Sequence, residues 1–161
     1  MKLTWKRNLF LNKTQFFDQN NQVGKINSTK LWQSARIEFL NRKYEVQSFK
    51  AFVHRGEIYA LDPRKMQLRF KYNAFTRSGI IKFEEKEYKF FATNILGTKW
   101  KLTENNKTII KLSNSFFKGE LESTTDNPAI LFASYYMMIQ KNIYSYILAI
   151  SYLVYLSYQL L

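Results

Sequence analysis

Apolar and polar residues alternate with a period of two through most of the first 121 positions. Met66, Leu68, Phe70 and Tyr72 interleave with Gln67, Arg69, Lys71 and Asn73, which puts an apolar set on one face of a strand and a basic set on the other. Leu3, Trp5, Leu9 and Leu11 keep one parity, with Arg7 interrupting it. Ile37 and Phe39, then Tyr44 and Val46, predict a hairpin around Asn41-Arg42. A second is predicted around Glu85-Lys86 and a third across Glu104-Asn105-Asn106-Lys107, each flanked by residues that favour strands. Strands thus recur about every ten residues. No helix-length pattern precedes residue 126, and the expectation is an antiparallel β-barrel or sandwich.

Four glycines share a Gly-x-Ile/Leu pattern, at Gly24, Gly56, Gly79 and Gly119. A phosphate-cradling loop needs clustered glycines leading into a helix. These stand alone and lead into strands, so each is read as a turn or bulge where a strand begins.

The pattern changes at Asp126-Asn127-Pro128. Asn is a good N-cap and Pro fits the first helical position, so a helix is predicted to start there. Ile130, Leu131, Phe132, Tyr135, Met138 and Ile139 make its first half apolar nearly all round, as in a helix buried in a core. Gln140-Lys141-Asn142 is the polar break, and 142–161 then runs for twenty residues without a charge. A helix over 128–161 would be about 51 Å long, too long for the inside of a small barrel. Divided at the break, the first half suits a domain interior and the second approaches the length that spans a bilayer. In the second half, Tyr144, Ser145, Ser151, Tyr152, Tyr155, Tyr158 and Gln159 share one side. Ile143, Ile147, Ile150, Leu153, Val154, Leu160 and Leu161 belong to the apolar side, which could face lipid, a partner helix or the protein's own body. The predicted organisation is a barrel over 1–126, a central hydrophobic helix over 127–141 and a terminal apolar helix over 142–161.

Charge divides at the same boundary. The chain of 161 residues carries a formal net charge of +13, and 24 of its 25 basic residues and all twelve carboxylates lie before residue 127. A basic body beside an uncharged tail favours an anionic membrane surface. Lys6-Arg7, Arg42-Lys43, Arg64-Lys65, Lys99 and Lys101 are the candidate contacts for lipid head groups. Interleaved bases and aromatics also occur in proteins that bind single-stranded nucleic acid, but no RNA-binding motif accompanies them, so a nucleic-acid partner is disfavoured. The charged N-terminus does not resemble a cleaved secretory signal.

Chemistry is sparse. The chain has no cysteine, which removes disulfides, thiolate metal ligands and cysteine nucleophiles, and its one histidine, His54, is read as an ordinary residue at a strand end. Glu84, Glu85 and Glu87 interleave with Lys82, Lys86 and Lys89, as in a solvated hairpin with cross-strand ion pairs. No catalytic residue, metal or cofactor is predicted.

The order of features resembles the tubby-like fold superfamily, which includes the tubby carboxy-terminal domains, the phospholipid scramblases and the plant LURP-one-related proteins. The resemblance is carried by the glycine-led strands at Gly24-Lys25-Ile26 and Gly79-Ile80-Ile81, by Trp32 and Trp100-Lys101-Leu102, by Phe117-Lys118-Gly119-Glu120-Leu121, and by Asp126-Asn127-Pro128-Ala129-Ile130-Leu131 leading into the apolar helix. It covers about residues 1–141. It implies a closed antiparallel barrel threaded by its hydrophobic C-terminal helix, in a superfamily whose members often work at membranes or bind phospholipid. No phosphoinositide, calcium or lipidation motif of the family matches residue by residue. The expected function is a non-enzymatic, membrane-associated and phospholipid-binding module on the cytoplasmic face of a membrane. The alternative is a soluble cytoplasmic homo-oligomer whose terminal helix packs within or between copies.

Overall fold

The computed structural model of the chain describes residues 1–8, 11–29, 34–49, 53–73, 75–115, 117–140, 155 and 157. Twelve strands follow one another: β1 (Lys2–Asn8), β2 (Lys13–Asp18), β3 (Asn21–Ser28), β4 (Ser34–Phe39), β5 (Arg42–Phe49), β6 (Val53–Leu61), β7 (Arg64–Asn73), β8 (Ser78–Phe83), β9 (Lys86–Ala92), β10 (Lys99–Glu104), β11 (Lys107–Asn114) and β12 (Lys118–Ser123). Each pairs antiparallel with the next, and β12 closes onto β1 with Leu3 opposite Leu121. Closure removes both sheet edges. One helix follows, α1 (128–140).

The tight connections gather at one end of the barrel. Leu40-Asn41 and Asn105-Asn106 have positive φ at both positions, the backbone of a two-residue turn whose twist matches the strands it joins. Asn tolerates that conformation through its short polar side chain. We call this the hairpin end. The alternate connections gather at the opposite end, called the loop end here.

A ring of twelve strands is too wide for its own side chains to fill, and a helix with side chains is about 10–12 Å across. α1 occupies the space, with every residue from Ala129 to Gln140 buried. Its start is as the sequence predicts: Asn127 Oδ1 accepts the amides of Ala129 and Ile130 at 3.0 and 3.4 Å, ahead of Pro128. Phe132 meets Phe16, Phe39 and Tyr44 close to the hairpin end. Tyr135 and Tyr136 reach Thr14 and Ser48, toward the loop end, at 2.9 and 3.1 Å. α1 therefore enters at the hairpin end and hands the chain on at the loop end.

Closing the barrel inverts several faces that the alternation suggests. Arg7 keeps the parity of Leu3 and Trp5 and is buried with them. Leu11 stands exposed in the β1–β2 connection. Met66 is exposed because the β6–β7 register shifts between Ile58 and Tyr59. Below that bulge Met66 pairs with outward-facing Tyr59, and the period restarts one residue out of step. His54, the second residue of β6, is at a strand end as expected, but it is buried and faces Tyr72.

Space, more than turn geometry, selects the recurring glycines. Gly24 and Gly56 lie inside strands rather than at their starts. A Cβ on Gly119 would come within 2.6 Å of Trp5 Cζ2, and one on Gly79 within 2.7 Å of Met137 Sδ on α1. Gly24 and Gly56 lie in the same way beneath the rings of Phe39 and Phe70. Large inward side chains cross the backbone where no Cβ stands in the way.

Two buried phenols test how far hydrogen bonding supports this core. Tyr135 Oη donates to Thr14 Oγ1, whereas Tyr72 Oη is buried with no hydrogen-bond partner among the described residues. Tyr135→Phe leaves Thr14 with an unmet bond and is expected to cost about 1–2 kcal/mol in urea unfolding, and Tyr72→Phe is expected to be neutral or stabilising by up to ~1 kcal/mol. Equal losses in the two variants would show that the hydroxyls do not set the cost.

Candidate functional site

The barrel divides the eight predicted head-group contacts into three sets. Arg7 points into the core and is withdrawn from the set. Arg42, Lys43, Arg64 and Lys65 sit beside the β4–β5 and β6–β7 turns, at the hairpin end. Carboxylates accompany them there: Arg64 Nη2 lies 3.6 Å from Glu45 Oε2, and Lys43 pairs with Glu38 across the strands. Glu38 also contacts Lys25 at 2.8 Å, and that hydrogen bond holds its carboxyl below the ordinary carboxylate range. This end presents charges of both signs.

Lys6, Lys99 and Lys101 fall together on the wall formed by β1, β12, β11 and β10. Register adds two bases that the sequence reading did not select. Lys118 is directly opposite Lys6, and Lys111 directly opposite Lys101. Like charges in such positions repel, a cost that an anion bound outside the wall would relieve. Two shallow grooves cross the wall, sharing Lys99, Ser113 and Glu120; one is lined by Lys101 and Lys111, the other by Lys6 and Lys118. Glu120 and Glu122 lie in the same wall, but Lys2 holds both, at 3.6 and 3.8 Å. Lys99, Lys111 and Lys118 make no ion pair among the described residues. Lys101 Nζ rests 4.8 Å from the centre of the Phe91 ring, and Lys6 Nζ 5.7 Å from that of Phe17. Their stems thereby lie along apolar surface with the ammonium groups at the edge. Lys6, Lys99 and Lys118 are near the loop end of their strands, so the basic wall leads to the end where α1 hands on the chain.

The central-helix residues Ile130, Leu131, Phe132, Tyr135, Met138 and Ile139 are all buried inside the barrel. The predicted membrane or packing face, Ile143, Ile147, Ile150, Leu153, Val154, Leu160 and Leu161, lies outside the described residues. Tyr155 and Ser157 are described, and both are helical and exposed. No helix of the described residues is long and apolar enough to cross a membrane. Glu84, Glu85 and Glu87 form the expected solvated hairpin, with Lys82 3.9 Å from Glu87 and Lys86 2.9 Å from Glu104. Among the described residues, no group of three or more His, Asp or Glu side chains is placed to hold a metal ion. No protein-family model, curated protein or solved structure matches the chain.

Proposed function

We propose that the protein is a non-enzymatic module that associates with anionic membrane surfaces, held there by its basic barrel and its uncharged C-terminal segment. The observation that carries this reading is the direction of α1. It runs from the hairpin end to the loop end, the end toward which Lys6, Lys99 and Lys118 stand on their strands, and in the sequence the uncharged stretch 142–161 follows it. A basic wall and an apolar segment in one chain are two sources of affinity for the same surface. Each lysine near an anionic leaflet contributes on the order of 1 kcal/mol, and apolar insertion adds to that. The side on which it works, on this reading, is the cytoplasmic face.

A non-enzymatic role is supported by the filling of the barrel: α1 takes the interior that a wider barrel would offer to a ligand, and the grooves on the wall are shallow. A tubby-like relationship is supported by the combination of a closed twelve-strand barrel with a buried hydrophobic C-terminal helix.

The test is flotation of the full chain with vesicles. It is expected to rise with phosphatidylcholine vesicles containing about 30% phosphatidylserine and to rise less with phosphatidylcholine alone. Protein that stays at the bottom of the gradient with both, and self-associates as its concentration increases, would instead support the soluble homo-oligomer.

A further inference from the structure

The loop end has an unusual composition. Its described connecting residues, 11, 12, 29, 75–77, 93–98, 115 and 117, include no Asp or Glu. Arg77 lies among them, and Lys13, Lys99 and Lys118 each follow one of these connections at once. The hairpin end differs, with Asp18, Asp62, Glu84, Glu85, Glu104 and Asp126 in or beside its connections.

Large apolar side chains stand out from the same end. Phe75 is 81% exposed and Ile95 88%, and Leu11, Leu96 and Phe117 are exposed as well. Local hydrogen bonds shape the loops that present them. Asn94 Oδ1 accepts the amides of Thr98 and Lys99 at 3.0 and 2.9 Å, and the Gly97 amide donates to the Asn94 carbonyl at 3.0 Å. That closes a tight loop with Ile95 and Leu96 at its tip. Asn73 Oδ1 accepts the amides of Phe75 and Thr76 at 2.9 and 3.3 Å. Arg77 donates to the Ile95 carbonyl, tying the two neighbouring loops together. Leu11 is set in the same manner, its amide donating to Asn8 Oδ1 at 3.1 Å. Exposed apolar tips on shaped loops cost solubility and contribute nothing to the core, the mark of an interaction surface.

We propose that this loop end is the surface that meets the bilayer, with Phe75, Ile95 and their neighbours entering the interfacial layer and the bases beside them contacting lipid phosphates. The inference rests on the membrane reading above and adds which surface makes the contact and how the barrel stands, its axis along the bilayer normal. Charge selects lipid over the other occupants. A second copy docked end to end would set base against base, with no carboxylate among the described residues of these connections to offset it. The uncharged segment 142–161 offers no counter-charge either. An anionic interface satisfies both components at once.

Because the chain has no cysteine, single labels are unique. Phe75→Cys, Ile95→Cys, Leu40→Cys at the hairpin end and Ile80→Cys on the outer face of β8 are each made in the full chain and labelled with an environment-sensitive fluorophore. With phosphatidylserine-containing vesicles, the labels at 75 and 95 are expected to shift to the blue and to be quenched by nitroxide-bearing lipid, while those at 40 and 80 stay unchanged. Unlabelled Phe75→Ser and Ile95→Ser are each expected to weaken partitioning about tenfold. Flotation with silent labels at 75 and 95 overturns this inference and leaves the membrane reading standing. So does a blue shift at 75 and 95 that grows with protein concentration before any lipid is added, which would mean a second copy covers them. Failure to float removes both.

Discussion

Phe132→Ala is expected to cost about 4 kcal/mol, a large share of the roughly 5–15 kcal/mol that keeps a single domain folded. Phe132 lies edge-on to Phe16 and Phe39, with centroids 5.5 and 5.2 Å away, and 6.4 Å from Tyr44. These rings come from β2, β4 and β5, so one side chain joins three strands to the helix. Its removal opens a cavity that a closed barrel cannot collapse to fill, because closure fixes its circumference. The urea midpoint should fall with the slope unchanged. Phe75→Ala, at the loop end, should move the same midpoint by less than ~0.5 kcal/mol. Similar losses in both would mean that the helix is not the centre of the core.

Alkaline pH should destabilise the protein steeply. Burial raises the pKa of Tyr72, of Tyr135 and of Tyr136, the last to about 12. The folded state thus holds these protons more tightly than the unfolded chain, whose phenols ionise near pH 10. The stability they contribute is fully present below about pH 10 and is lost as the pH rises through the folded values. Each phenol accounts for about 1.4 kcal/mol per pH unit, so the three together remove about 4 kcal/mol per unit between pH 10 and 12. Urea unfolding across that range, with phenolate absorbance followed in parallel, should show stability and protonation falling together. Tyr136→Phe should lower the slope by about a third. A stability that stays flat to about pH 11.5 would contradict the burial of these hydroxyls.

Much of the architecture is legible along the chain because it is local. Asn127 and Pro128 announce α1 by capping chemistry, and the turn at Asn105-Asn106 reads directly from its residues. Strand spacing predicts a barrel or a sandwich, and the apolar run predicts a buried helix; closure of the barrel is expected only from the family resemblance. What the chain conceals is set by neighbours distant in sequence. Arg7 reads as a surface base beside Lys6, but strand parity and closure turn it inward. Met66 leaves its expected face because of a bulge on a strand pair that alternation alone does not show. The recurring glycines look like turn residues until Trp5, Phe39, Phe70 and Met137 are seen crossing over them. Lys118 and Lys111 join Lys6 and Lys101 only when β12 and β11 take their places in the wall.

The loop end was the least visible feature, since closure assembles it from six segments spread between residues 9 and 117. A trace of it is nonetheless present in the linear sequence: every second connection lacks carboxylates and carries large apolar residues. Once strands are known to alternate up and down, that periodicity identifies one end of the barrel. The basic pairs that drew the functional reading then divide, with Lys6 and Lys99 toward this end and Arg42, Lys43, Arg64 and Lys65 away from it among acids.

Membrane association is tested most directly by flotation of the full chain over a series of phosphatidylserine contents and salt concentrations. Binding is expected to rise with anionic lipid, to weaken by about tenfold or more as salt screens the lysines, and to persist in part at high salt through apolar insertion. Binding that is identical with neutral and anionic vesicles would remove the role given to the basic wall, and no binding to either would overturn the membrane-associated reading itself.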